Sequence, residues 1–163
     1  MTEEAPAIFV ALEQSGLGQA IRQSTWLYPL ANIGHIVSLV VFAGAIAVMD
    51  VRLVGYLAAT IPARVIGRAR QFAIAAFAMM VVTGSMLFTA EASHLVLNPV
   101  FQLKVALIGA GLANIAIYEF WAKRAIAGLP ACVAMPAGAR VAGMLSLAIW
   151  LAVAACGRSI AYF

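Results

Sequence analysis

Residues 29–49 read PLANIGHIVSLVVFAGAIAVM, a run with no formal charge. A transmembrane helix needs about 20 consecutive, mostly apolar residues, and this stretch supplies them. Trp26 and Tyr28 stand just before it, where an interfacial aromatic belt belongs. Three further runs have the same character. Residues 72–90 carry no charge, residues 100–120 carry Lys104 near the start and Glu119 near the end, and residues 141–160 carry only Arg158. All are too long for strands, and the alternation of a membrane β-barrel is absent. The expected fold is an all-α integral membrane protein, a four-helix transmembrane bundle with spans at about 29–49, 72–90, 100–120 and 141–160.

The composition agrees. Hydrophobic residues make up 65% of the chain and charged residues 10%, with a mean hydropathy of +1.03. A soluble domain carries about 25% charged residues, so this surface must face lipid. The 163 residues leave room for one bundle and no separate soluble domain. Although the net charge is +4, the charges sit between the apolar runs and read as orientation in the membrane, not as a nucleic-acid surface. Arg52, Arg64, Arg68 and Arg70 follow the first run, and Lys123, Arg124 and Arg140 follow the third. The opposite side holds Glu3, Glu4, Glu13, Arg22, Glu91, His94 and Arg158, which nearly balance. The positive-inside rule then puts both basic connections in the cytoplasm and both termini in the periplasm of a bacterial inner membrane.

Residues 1–25 form an expected interfacial segment, and residues 26–163 the transmembrane domain. Ile8, Phe9, Leu12, Leu17 and Ile21 recur at helical spacing, broken by Gly16 and Gly18, which suggests a short amphipathic helix lying on the membrane surface. The acidic residues 1–4 do not resemble the start of a cleaved signal. Pro62, Pro130 and Pro136 mark breaks between helices. Small residues four apart (Gly34 and Ser38, Ala43 and Ala47, Gly109 and Ala113) are candidates for close helix contacts. Cys132 and Cys156 fall on opposite sides of this topology, which excludes a disulfide between them.

Ionisable groups at membrane depth are costly and are functional candidates by default. His35 lies about 9 Å into the first run at 1.5 Å per residue, and Lys104 lies at a similar depth in the third. Glu91 and Arg158 end the second and fourth runs on the same side, so one residue from each helix converges there. Tyr28, Asn32 and His35 share one helix face. Lys104, Gly111, Asn114 and Tyr118 make a stripe on another, and Met80, Thr83, Gly84 and Leu87 a third. The expected site is His35 as metal or cofactor ligand, Lys104 and Arg158 as partners for carboxylates, and Tyr28, Asn32 and Asn114 around them. Against this, His35 can serve as a helix-to-helix hydrogen-bonding group, and Lys104 and Arg158 can snorkel to the headgroups. Asp50 with Arg52 reads as boundary charge, and Glu119 with Lys123 as an i,i+4 pair. No phosphate-binding loop, dinucleotide fingerprint or Ser/His/Asp set is present.

Three blocks carry a resemblance. The first is Leu12-Glu13, then Ile21-Arg22-Gln23-Ser24-Thr25-Trp26-Leu27-Tyr28-Pro29, His35, Gly44 and Asp50-Val51-Arg52-Leu53. The second is Thr83-Gly84, then Asn98-Pro99-Val100-Phe101-Gln102-Leu103-Lys104 and Asn114, and the third runs from Ser146-Leu147 and Trp150 to Gly157-Arg158-Ser159-Ile160-Ala161-Tyr162. Over most of the chain they resemble a bacterial inner-membrane family, the domain of unknown function numbered 6644, which implies no activity. A histidine in the first helix with a lysine early in the third is also similar to two more distant groups. These are the membrane part of copper-resistance protein D and the small four-helix haem-containing protoporphyrinogen oxidases. That likeness implies a cofactor near His35 and Lys104. Three functions are weighed, and the first is the one expected. One is a b-type haem protein in membrane redox or electron transfer, with His35 as axial ligand; two histidines allow at most one such haem. The second is copper-linked or small-solute transport along His35, Met80 and Met79. The third is an accessory subunit of a larger membrane complex, or a homo-oligomer.

Overall fold

The computed structural model describes residues 4–162. Residues 1–3, which include most of the acidic start, and residue 163 lie outside the described residues. Four helices are long and apolar enough to cross a membrane, at Leu27–Val54, Pro62–Ala90, Pro99–Ile126 and Ala137–Tyr162. In chain order the elements are α1 (Ala7–Glu13), α2 (Gly16–Gln23), α3 (Leu27–Val54), α4 (Pro62–Ala90), α5 (Ala92–Leu97) and α6 (Pro99–Ile117). A π-helical turn (Tyr118–Ala122), α7 (Lys123–Ile126), α8 (Ala137–Ser159) and a 3₁₀ turn (Ile160–Tyr162) complete the chain.

The helices outrun the expected spans, most of all at the basic end. The apolar runs end near the charges of the basic connections, but an α-helix continues wherever its own backbone bonds are the best available. At 28 residues, α3 is about 42 Å long, more than the ~30 Å hydrocarbon core requires. Its last turns therefore carry Asp50 and Arg52, and the first turns of α4 carry Arg64, Arg68 and Arg70. Helix starts follow the local chemistry. Pro62 and Pro99 occupy first-turn positions where no backbone N–H is needed. Asn98 caps α6, its Oδ1 accepting from the N–H of Val100 at 2.9 Å and of Phe101 at 3.1 Å.

Within the bundle α3 packs along α4 and against α8, and α8 packs against α6. By contrast, α4 and α6 do not pack along their lengths among the described residues. They meet near their ends. Phe88 stacks on Phe101 with centroids 5.5 Å apart, and Arg70 of α4 forms an ion pair with Glu119 of the π turn. Between these two clasps lies a cleft. Its floor is an aromatic layer at mid-bundle, where Phe42 meets Trp150 edge-on at 4.7 Å and Phe77 at 5.6 Å. Large apolar side chains such as Val40, Phe72 and Leu151 point outward, 64–69% exposed, as lipid-facing residues do.

Close helix contacts depend on small residues, though only partly on those whose spacing drew attention. Gly34 meets Thr83, while Gly109 has open space around it, and Ala43 and Ala113 are exposed. The tight contacts are Gly111 against the Trp150 ring and Gly143 against Leu53, where an added Cβ would stand 2.9 and 2.8 Å from its neighbours. A spacing of four identifies a helix face without saying what that face meets.

The N-terminal segment forms two short helices rather than one. Ser15 ends the first and caps the second, accepting from the N–H of Gly18 at 3.2 Å. Gly18 packs so tightly beneath α1 that a Cβ there would lie 2.9 Å from the Leu12 carbonyl oxygen. The pair is fastened across the His35 end of the bundle. Glu13 pairs with Arg22 at 2.7 Å and accepts from both the N–H and the hydroxyl of Ser93. Phe9 meets Phe88 edge-on at 5.9 Å.

Candidate functional site

The expected site residues separate into three places. At the His35 end, the half-buried imidazole Nδ1 lies 3.0 Å from Thr83 Oγ1. The Thr83 hydroxyl donates to the Met79 carbonyl at 2.8 Å, so it accepts from His35. This pattern assigns the proton to Nδ1, and Nε2 makes no hydrogen bond among the described residues. Gly84 makes room for the ring, since a Cβ there would lie 3.2 Å from His35 Cε1. Lys104 is within electrostatic reach of His35, but its ammonium sits against Gly157 of α8, 3.5 Å from where a Cβ would be.

The other expected partners stand apart. Tyr28 donates to Glu91 at 2.9 Å, joining the start of α3 to the end of α4. Asn32 is exposed. Arg158 is exposed and folds back on its own helix, hydrogen-bonded to the Tyr162 hydroxyl and lying 4.7 Å over its ring. Asn114 is buried in the other half of the bundle, donating to the Ala142 carbonyl at 3.0 Å. The structure thus brings His35 and Lys104 within electrostatic reach, leaves Asn32 and Arg158 exposed, and places Asn114 in the other half of the bundle. Among the described residues no three His, Cys, Asp or Glu side chains are grouped to hold a metal ion.

A second site occupies the Asp50 end. The cleft between α4 and α6 opens there into a cavity of about 300 Å³. Its walls are Phe42, Phe77, Tyr118 and Trp150 with aliphatic neighbours, and its polar lining is Asp50, Arg70, Asn114, Glu119 and Ser146. Ile74 and Ala78 of α4 and Leu112 of α6 belong to the lining and are themselves exposed, so the mouth faces sideways into lipid. Neither this cavity nor a second one between the two basic connections is lined by His35 or Lys104.

Two atoms in the cavity walls are unpaired. Asp50 is 3% exposed and Trp150 8% exposed. Asp50 Oδ2 and the Trp150 indole N–H are buried without a hydrogen-bond partner among the described residues. Buried polar atoms are nearly always paired, by protein, water or ligand. Just below, Arg52 is fully buried, donating from Nη2 to the Thr60 carbonyl at 3.0 Å while Nε and Nη1 have no partner. Asp50 and Arg52 are therefore buried between helices at the end of the span. The Glu119–Lys123 pair does form, at 2.9 Å, and Glu119 also holds Arg70.

Sequence reasoning passed over this site, although a signal was present. Phe42, Ile46 and Asp50 lie four apart on one helix face, as do Asn114 and Tyr118, and Ser146 and Trp150. A polar residue one or two turns from a bulky aromatic on the same face, repeated on three helices, is the pattern of a lined pocket.

Four apolar helices of bilayer length, with ionisable side chains held between them, define a multi-pass membrane protein. The chain belongs to the Family of unknown function (DUF6644), whose model matches residues 9–163. No curated protein and no solved structure matches it.

Proposed function

We propose that the chain is a small-solute binding protein of the membrane, of the transport class, taking a lipophilic molecule sideways from the bilayer into the cleft between α4 and α6. The observation that carries this reading is the cavity at the Asp50 end, where apolar walls open toward lipid and enclose two unpaired polar atoms. Largely apolar pockets with a few convergent polar groups are typical small-molecule sites. The charge distribution supports a bacterial inner-membrane setting, with the Asp50 end cytoplasmic and the His35 end periplasmic.

Organic extraction of detergent-purified protein, followed by mass spectrometry, tests the reading. Wild-type protein should release a bound lipophile near one-to-one. Ala78→Phe, which fills the mouth from a lipid-facing position, should release several-fold less. Equal release from both would sink the proposal.

A second reading is one b-type haem on His35, in redox or electron-transfer work. It is supported by the His35 Nε2, which makes no hydrogen bond among the described residues, and by the nearby Lys104. His35 would hold the iron and Lys104 would face a propionate, and the haem would supply one-electron chemistry. Absorbance after expression with added haem decides it. A Soret band lost in His35→Ala supports this reading, and a colourless wild-type protein removes it.

A further inference from the structure

We propose that the occupant of the α4–α6 cleft is a lipophilic cation, an aryl- or alkyl-ammonium, with Asp50 as its counter-ion. This rests on the lateral-binding reading above and adds the chemical class of the ligand.

The argument begins with charge. Three formally charged side chains line the cavity, the Asp50 and Glu119 carboxylates against the Arg70 guanidinium. Arg70 is committed to Glu119, and Glu119 also takes Lys123 from outside the lining. That leaves Asp50 without an ion-pair partner, buried, with its Oδ2 lacking a hydrogen bond among the described residues. A buried charge lacking a partner is strongly unfavourable, and a cation beside it removes that cost. Arg52, two residues further along the same helix, does not serve. No ion pair joins it to Asp50, and it is absent from the cavity lining.

The walls agree with the charge. Phe42, Phe77, Tyr118 and Trp150 surround the same space. Aromatic faces attract ammonium groups, most strongly when water is excluded. An anionic lipophile would meet an uncompensated carboxylate, and a neutral one would leave it unpaired. The exposed Ile74, Ala78 and Leu112 at the mouth let the apolar portion reach in from lipid.

The test compares two probes of one shape. Benzyltrimethylammonium carries a permanent charge, and neopentylbenzene replaces its nitrogen with carbon. Each is titrated calorimetrically into full-length protein in phosphatidylcholine nanodiscs, with empty discs subtracted. The cation should bind at least tenfold more tightly than the hydrocarbon. Asp50→Asn, nearly isosteric, should abolish that preference, and Ala78→Phe should weaken both probes. A thermal melt confirms that each variant is folded. Equal binding of both probes, unchanged by Asp50→Asn but lost in Ala78→Phe, would overturn the cation while leaving lateral binding intact. Binding of neither probe overturns the cation as well. If, in addition, no lipophile co-purifies with the wild type, the lateral-binding reading falls with it.

Discussion

At the scale of single residues, this bundle shows how little the identity of a small residue says without its neighbour. Gly143 and Gly109 look alike in sequence. An added Cβ at Gly143 would stand 2.8 Å from Leu53 Cβ and 3.1 Å from the Asp50 carbonyl oxygen, while Gly109 has nothing within 4 Å. Gly143→Ala should therefore destabilise the protein by about 1–3 kcal/mol through overpacking. Gly109→Ala should be neutral, or stabilising by about 0.5–1 kcal/mol through the lower backbone freedom of alanine. Thermal unfolding in detergent, followed by circular dichroism, separates the two. A second residue-scale prediction concerns Thr83, which accepts from His35. Thr83→Val leaves the imidazole N–H unpaired, and the loss of one buried hydrogen bond should cost about 1–3 kcal/mol. Thr83→Ser should restore most of that stability.

At the scale of elements, the sequence announced the four long helices because a bilayer imposes a length and a hydropathy that few other environments demand. It was weaker on the ends. The two-helix break at Ser15 depends on a capping oxygen and a close approach at Gly18, neither of which periodicity reports. The fastening of α1 and α2 gives a pH dependence. Hydrogen bonds from the Ser93 hydroxyl and N–H, aided by Arg22, hold the Glu13 carboxyl below its ordinary value of 4.5. A lowered carboxylate contributes stability above its unfolded value and loses it as pH falls through its folded value. Protection factors of the α1 and α2 amides, taken relative to the intrinsic rate at each pH, should thus be high at neutral pH and fall below 4.5. Glu13→Gln should remove that pH dependence, and hydrogen exchange measured at pH 6 and pH 3.5 checks both statements.

At the scale of the whole molecule, the sequence located one end of the bundle as chemically interesting and passed over the other. His35 and Lys104 stand out because each interrupts an apolar run. Asp50 closes a run, as ordinary boundary charges do, and its burial depends on which helices pack around the end of α3. Which helices touch was not legible either, since pairing order depends on side-chain shape and not on hydropathy. The proposed orientation can be tested with a native probe. Cys132 is exposed in the second basic connection. In a Cys156→Ser background, a membrane-impermeant maleimide should label Cys132 in inside-out vesicles and leave it unlabelled in intact spheroplasts. The opposite result would reverse the assigned topology.

The wide turn at Tyr118–Ala122 carries a last consequence. A π turn holds one residue more than an α turn, so the chain has an extra residue there that α-helical winding would not accommodate in place. Each α-helical residue advances about 100° around the axis. The surplus residue therefore acts as a phase shift confined to the turn, letting the lining stripe of α6 and the clasp of Glu119 on Arg70 face the same space. Deleting Phe120, 76% exposed, would relax the turn to ordinary winding and leave the helix on either side in phase. The helix would survive as a span, and only the clasp of Glu119 on Arg70, carried by the widened turn itself, would be displaced.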